Sequence, residues 1–139
     1  MSEQMQLKQL KEQMSKLAEQ IAQQEFDIRL DYSPESIKEV EYILGEIHRK
    51  YKRTNSEEGL QGIAFEFAAY IVKVIEENFG TAEWTPNHHS MGENSFPLLW
   101  RNSTLFPFSW CLKRIYDGEV ENVWIKFKTF VIDKTQQMT

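Results

Sequence analysis

The chain has 139 residues, with 16 basic and 21 acidic side chains and a formal net charge of −5. That length suffices for one domain with its own core, and a single cysteine, Cys111, excludes an intrachain disulfide. No apolar run approaches the roughly 18 residues of a membrane span, and the acidic balance argues against a general nucleic-acid binder, whose phosphate contacts need a basic face. Met1–Gln6 lacks the basic and apolar regions of a signal peptide, so a cytoplasmic protein without membrane association is expected.

Residues 2–24 read as a polar amphipathic helix. Leu7, Leu10, Met14, Leu17 and Ile21 alternate at three- and four-residue steps, the spacing of a heptad seam. The seam lasts about two and a half heptads, shorter than a self-sufficient coiled coil. Three readings stand: packing on the chain's own domain, homo-oligomerisation through these five residues, and a free, fraying helix. The segment 1–25 is therefore taken as an N-terminal amphipathic helix preceding a single domain at 26–139. Phe26, Ile28 and Leu30 alternate with charged residues and predict a short extended or strand-like segment. Ser33 is an N-cap candidate before Pro34 and Glu35, and Ile37, Val40, Ile43, Leu44 and Ile47 predict a helix to about residue 51. Arg49-Lys50-Tyr51-Lys52-Arg53 closes it with cations suited to a helix C-terminus. A third helix is predicted over about 57–79, its stripe running from Leu60 through Phe67 and Tyr70 to Ile75, with Gly80 ending it.

Beyond Gly80 charges become sparse: residues 81–112 hold only Glu83, Glu93 and Arg101. Trp84 and Leu98-Leu99-Trp100 read as short strands joined by a polar loop, with Asn102-Ser103-Thr104 as a turn. Phe106 to Tyr116 is expected to begin extended and turn helical after Pro107. Val120 to Val131 fits either period; helix is favoured because Asp117-Gly118 and the acidic Glu119 and Glu121 suit an N-terminal turn. The predicted fold class is α+β: amphipathic helices packed with a small antiparallel sheet, preceded by the heptad-patterned helix.

Several of these residues carry a resemblance. Leu30-Asp31-Tyr32-Ser33-Pro34-Glu35-Ser36-Ile37, the stretch from Glu66 to Gly80 followed by Glu83-Trp84, and Phe106-Pro107-Phe108 with Lys113-Arg114-Ile115 and Gly118 resemble a set of small bacterial α+β domains of unassigned function. The resemblance covers about residues 30–131 and rests on turn and core chemistry. Some similar domains are immunity partners of bacterial toxins, so the resemblance implies a fold type and a biology of that kind, and it transfers no catalytic residue.

The remaining candidates are weighed by their chemistry. His88-His89, with Glu83 and Glu93 nearby, carries zinc-ligand types, but adjacent loop residues point apart and no further ligand sits at a binding spacing. Cys111 lies between Trp110 and Leu112, a setting for a buried, inert thiol. Glu66 lies at the edge of an apolar stripe, so it is read as an edge carboxylate, as paired with Lys113 or Arg114, or as an acid of raised pKa. The basic run 49–53 around Tyr51 is read first as a solvated helix end, with an acidic partner surface and nucleic-acid contact as lesser readings. Gly-x-Gly-x-x-Gly, P-loop, Gly-x-Ser-x-Gly and His-Glu-x-x-His patterns do not occur. Aromatic side chains make up 13% of the chain and concentrate toward its C-terminal half. Most belong in a core, yet Trp100, Arg101, Phe106, Phe108 and Trp110 have the composition of an interface hot spot. The expectation is a non-enzymatic protein-binding domain using those five residues, with no cofactor. The alternatives are a small-molecule-binding or hydrolytic domain using Glu66 and the His88/His89 loop, and a structural protein self-associating through residues 7–21.

Overall fold

Long helices precede a small sheet in the computed structural model, which describes residues 3–137. Met1, Ser2, Met138 and Thr139, the outer ends of the two expected segments, lie outside the described residues. The order is α1 (Glu3–Phe26), α2 (Ser36–Thr54), α3 (Leu60–Phe79), β1 (Glu83–Trp84), β2 (Leu98–Trp100), β3 (Ser103–Leu105) and α4 (Pro107–Asp117). A 3-10 turn (Glu119–Glu121) leads into α5 (Val123–Phe127), a π-helical segment (Lys128–Ile132) and α6 (Asp133–Gln137). The fold is the α+β arrangement expected. No helix among the described residues is long and apolar enough to cross a membrane.

Helix α3 is the centre. Ala68, Ala69, Tyr70, Ile71 and Val72 are consecutive and fully buried. A helix apolar on every side must be covered on every side, and α1 and α4 both pack along it. Helix α1 runs antiparallel to α3, tied by Lys11 Nζ to Glu76 at 2.6 Å and by Lys73 Nζ to Glu12 at 2.8 Å. The face it buries is Leu7, Lys11, Ser15, Ala18 and Ala22, which are mostly small residues. The heptad seam thus lies at the edge of the contact, with Met14 and Ile21 partly buried against the core. Leu7 is buried within the domain and is not available to a second copy, while Leu10 and Leu17 stay 38% and 37% exposed. The helix read as an appendage shares one core with the rest of the chain.

The segment 26–30 forms no strand. Asp27 turns left-handed (φ 54) at the end of α1, and the Ile28 amide returns to the Ala22 carbonyl at 3.0 Å. A strand needs a ladder partner; this segment instead buries Leu30 and crosses to α2. Its path is fixed by α3. The Tyr32 amide, in a left-handed residue (φ 63), donates to the Tyr70 hydroxyl at 2.8 Å, and the Tyr32 carbonyl accepts from Asn78 at 2.8 Å. The Ser36 hydroxyl is committed to the Ser33 carbonyl (2.6 Å), so Tyr70 donates to Ser36 Oγ at 2.7 Å. Burial pushes the Tyr70 hydroxyl up to about 12. The N-cap position of α2 is Glu35, which makes no side-chain cap bond; Ser33 instead holds the turn before it, its hydroxyl accepting from the Ser36 amide at 3.2 Å and donating to Asp31 at 2.7 Å.

The sheet is antiparallel in the order β1-β2-β3, with Trp84 opposite Leu98 and Trp100 opposite Ser103. Arg101 and Asn102 are both left-handed (φ 46 and 61), which makes a two-residue hairpin of the kind that matches strand twist. The turn therefore sits at 101–102, one step before the residues predicted for it, and Ser103–Leu105 pairs back as a strand.

A buried ion pair joins α2 to the C-terminal helices. Arg114 Nε lies 3.0 and 2.9 Å from the two carboxylate oxygens of Glu41, and Glu41 Oε1 also accepts from the Val123 amide at 2.8 Å. Arg114 is therefore the partner of Glu41, not of Glu66. Gly45 lets the guanidinium cross α2, since a Cβ there would stand 2.7 Å from Nη2. Asn122, rather than the Asp117-Gly118 break, starts the last helix: its Oδ1 accepts from the Ile125 amide at 2.9 Å.

Candidate functional site

Two of the five residues expected at a binding surface belong to the core. Trp100 is 1% exposed and donates its indole N–H to the Phe79 carbonyl at 3.1 Å. Arg101 lies over the Trp100 ring, 5.1 Å from its centroid, and donates to the same carbonyl at 3.0 Å. The pair thus satisfies the end of α3, which has orphan carbonyls to fill. Trp110 is 7% exposed because the stretch after Pro107 is a helix that turns this ring inward.

Phe106, Phe108 and Trp110 nonetheless meet at one place. They form the floor of a groove of about 380 Å³, whose far walls are Met91 of the 85–97 loop and Phe130 of the π segment. Phe130 stacks on Trp110 with centroids 6.2 Å apart and planes 27° apart, yet remains 49% exposed. Met91, which also lines the groove, is 63% exposed. Behind the floor, Phe108 makes edge contacts with Phe96 (5.6 Å) and Phe65 (5.9 Å), so the ring is backed by packed aromatics. Sequence reasoning did not find Phe130 or Met91. Phe130 comes to the groove through the π segment, in which the Asp133 amide donates to the Lys128 carbonyl. Such wide turns recur at functional sites and leave no signature in hydrophobic spacing.

The 85–97 loop is shaped by the histidine once weighed as a ligand. His88 Nδ1 receives the amides of Ser90 and Met91, both at 3.0 Å. Two backbone donors require that nitrogen to be an acceptor. His88 and Gly92 exchange backbone bonds of 3.0 and 2.9 Å, and the ring stacks on His89 and meets Phe106 edge-on at 5.5 Å. No group of three or more His, Cys, Asp or Glu suited to a metal comes together among the described residues.

Glu66 is half-buried and its carboxyl is raised by desolvation. None of the five principal grooves is lined by Glu66, His88 or His89. Burial pushes the Cys111 thiol well up, as an inert core cysteine requires. In the basic run, Tyr51 packs edge-on against Tyr116 at 5.2 Å and is not presented for base stacking. A second groove of about 580 Å³ at that end of α2 mixes Lys50 and Arg53 with Glu25, Glu46 and Glu58, so its charges oppose one another.

No protein family, curated protein or solved structure matches the chain.

Proposed function

We propose that the chain is a non-enzymatic cytoplasmic binding domain that receives a segment of a partner protein in the Phe106–Phe108–Trp110 groove. The observation that carries this reading is the packed aromatic floor bordered by two large, exposed apolar side chains, Met91 and Phe130. Single exposed apolar residues need no explanation, but a concave cluster over a rigid floor has the composition of a hot-spot pocket. Its volume is within the roughly 300–1,000 Å³ of specific ligand sites. The resemblance over residues 30–131 points to the same class of partner, a toxin held by an immunity-type domain. A phage-displayed peptide library panned on the wild-type chain is expected to yield binders that lose roughly tenfold or more in affinity for Phe130→Ser. Binders indifferent to Phe130, or no enrichment, would overturn the reading.

A second reading, self-association, is favoured by the exposed side of the α1 seam. Leu10 and Leu17 are exposed beside half-buried Met14 and Ile21, and Gln6, Gln13, Gln20 and Gln24 lie on the outer side of this line. A seam without charges lets two copies of an acidic chain meet without like-charge repulsion. Sedimentation equilibrium at about 100 µM is expected to give an average mass above the 16.5 kDa of one chain, returning to that value for Leu10→Gln/Leu17→Gln. A single-chain mass at every concentration sinks it.

A further inference from the structure

The groove has a sign of charge opposite to that of the molecule. The chain carries −5, yet no Asp or Glu lines the groove, while Lys113 and Lys126 both do. The two lysines are not equivalent. Lys126 is half-buried and held by Glu121. Lys113 is exposed and makes no ion pair among the described residues. It stands three residues after Trp110 on α4, so both project to one side of that helix. An exposed ammonium, outside any ion pair but near enough to Glu121 to help Lys126 lower that carboxyl, therefore lies about one helical turn from the Trp110–Phe130 stack.

We infer that the segment bound in this groove is apolar with acidic flanks: an amphipathic stretch that sets aliphatic or aromatic side chains on the Trp110–Phe130 stack and a carboxylate one turn away, at Lys113. This rests on the groove being a protein-binding site and specifies its partner. Burial of the apolar face supplies the attraction, and recognition of such a face by a groove is a recurrent mode. The lysine contributes selection, because an exposed ion pair adds little affinity while a like charge opposite it is rejected. A basic segment is discriminated against at the same position, even though it is attracted by the acidic remainder of the surface.

The test uses the full chain and two fluorescein-labelled helical peptides with the same leucine face, one flanked by glutamates and the other by lysines. Fluorescence anisotropy is expected to show the glutamate peptide binding on the order of tenfold more tightly, with the preference reversed by Lys113→Glu and both signals lost in Phe130→Ser. Equal binding of the two peptides to the wild type, or tighter binding of the lysine peptide, overturns the charge inference and leaves the groove reading intact. Binding of neither peptide, or binding that Phe130→Ser does not weaken, removes the groove reading itself. Circular dichroism of both variants, at two exposed positions, confirms that each is folded before it is compared.

Discussion

Trp100→Ala is expected to destabilise the fold by about 3–5 kcal/mol, the range for truncating a large buried aromatic side chain. The ring is 1% exposed, so its removal leaves a cavity that the short β2–β3 hairpin has little freedom to close. The substitution also withdraws the indole N–H from the Phe79 carbonyl and the surface over which Arg101 lies, loosening the junction of α3 with the sheet. Urea denaturation followed by circular dichroism measures the effect, and Trp100→Phe separates its parts. That variant keeps most of the ring and loses the donor, and is expected to cost about 1–2 kcal/mol. A loss below about 1 kcal/mol for the alanine variant would show that the ring is not a core element. An exposed hot-spot residue behaves oppositely, since its truncation leaves stability nearly unchanged.

Glu41→Ala should cost about 3–5 kcal/mol as well, for a different reason. Truncation leaves the buried guanidinium of Arg114 with only its bond to the exposed Glu119, 3.1 Å away, and orphans the Val123 amide at the start of α5. The cost is that of an uncompensated buried charge and not the net value of the pair. The double variant Glu41→Leu/Arg114→Met is accordingly expected to recover much of the loss, and the shortfall from additivity in a double-mutant cycle measures the coupling. If Glu41→Leu and Arg114→Met prove additive, the two side chains do not act as a unit.

The main helices were legible because their signals are local. Ser33-Pro34 turns the chain into α2, the apolar stripe of α3 is too wide for a surface helix, and Pro107 opens α4. The orientation of α1 was not. A heptad line of Leu, Met and Ile outweighs Ser15, Ala18 and Ala22 on any hydrophobicity scale, yet small side chains permit a closer approach of two helix axes, and these three are buried along with Leu7 and Lys11 while Leu10 and Leu17 are not. β3 was hidden because Ser103 and Thr104 resemble turn residues, and only the register with β2 reveals them as a strand. The candidate site was half legible. Phe106, Phe108 and Trp110 were visible as a cluster, but Trp100 and Arg101 next to them serve the end of α3. An aromatic beside an arginine has one composition in both settings, and only burial separates them.

The π segment makes the groove a matter of counting. A regular α-helix advances about 100° per residue, so a wide turn places everything beyond it as if one residue had been inserted. Phe130 lies within this wide turn, and the turn sets which residue of the segment faces Trp110. In a related chain one residue shorter at this point, the helix would run straight and turn a different side chain to the Trp110 ring. A single-codon gap there would therefore remove the Trp110–Phe130 stack, and with it this side of the groove, with every side chain of the segment otherwise kept.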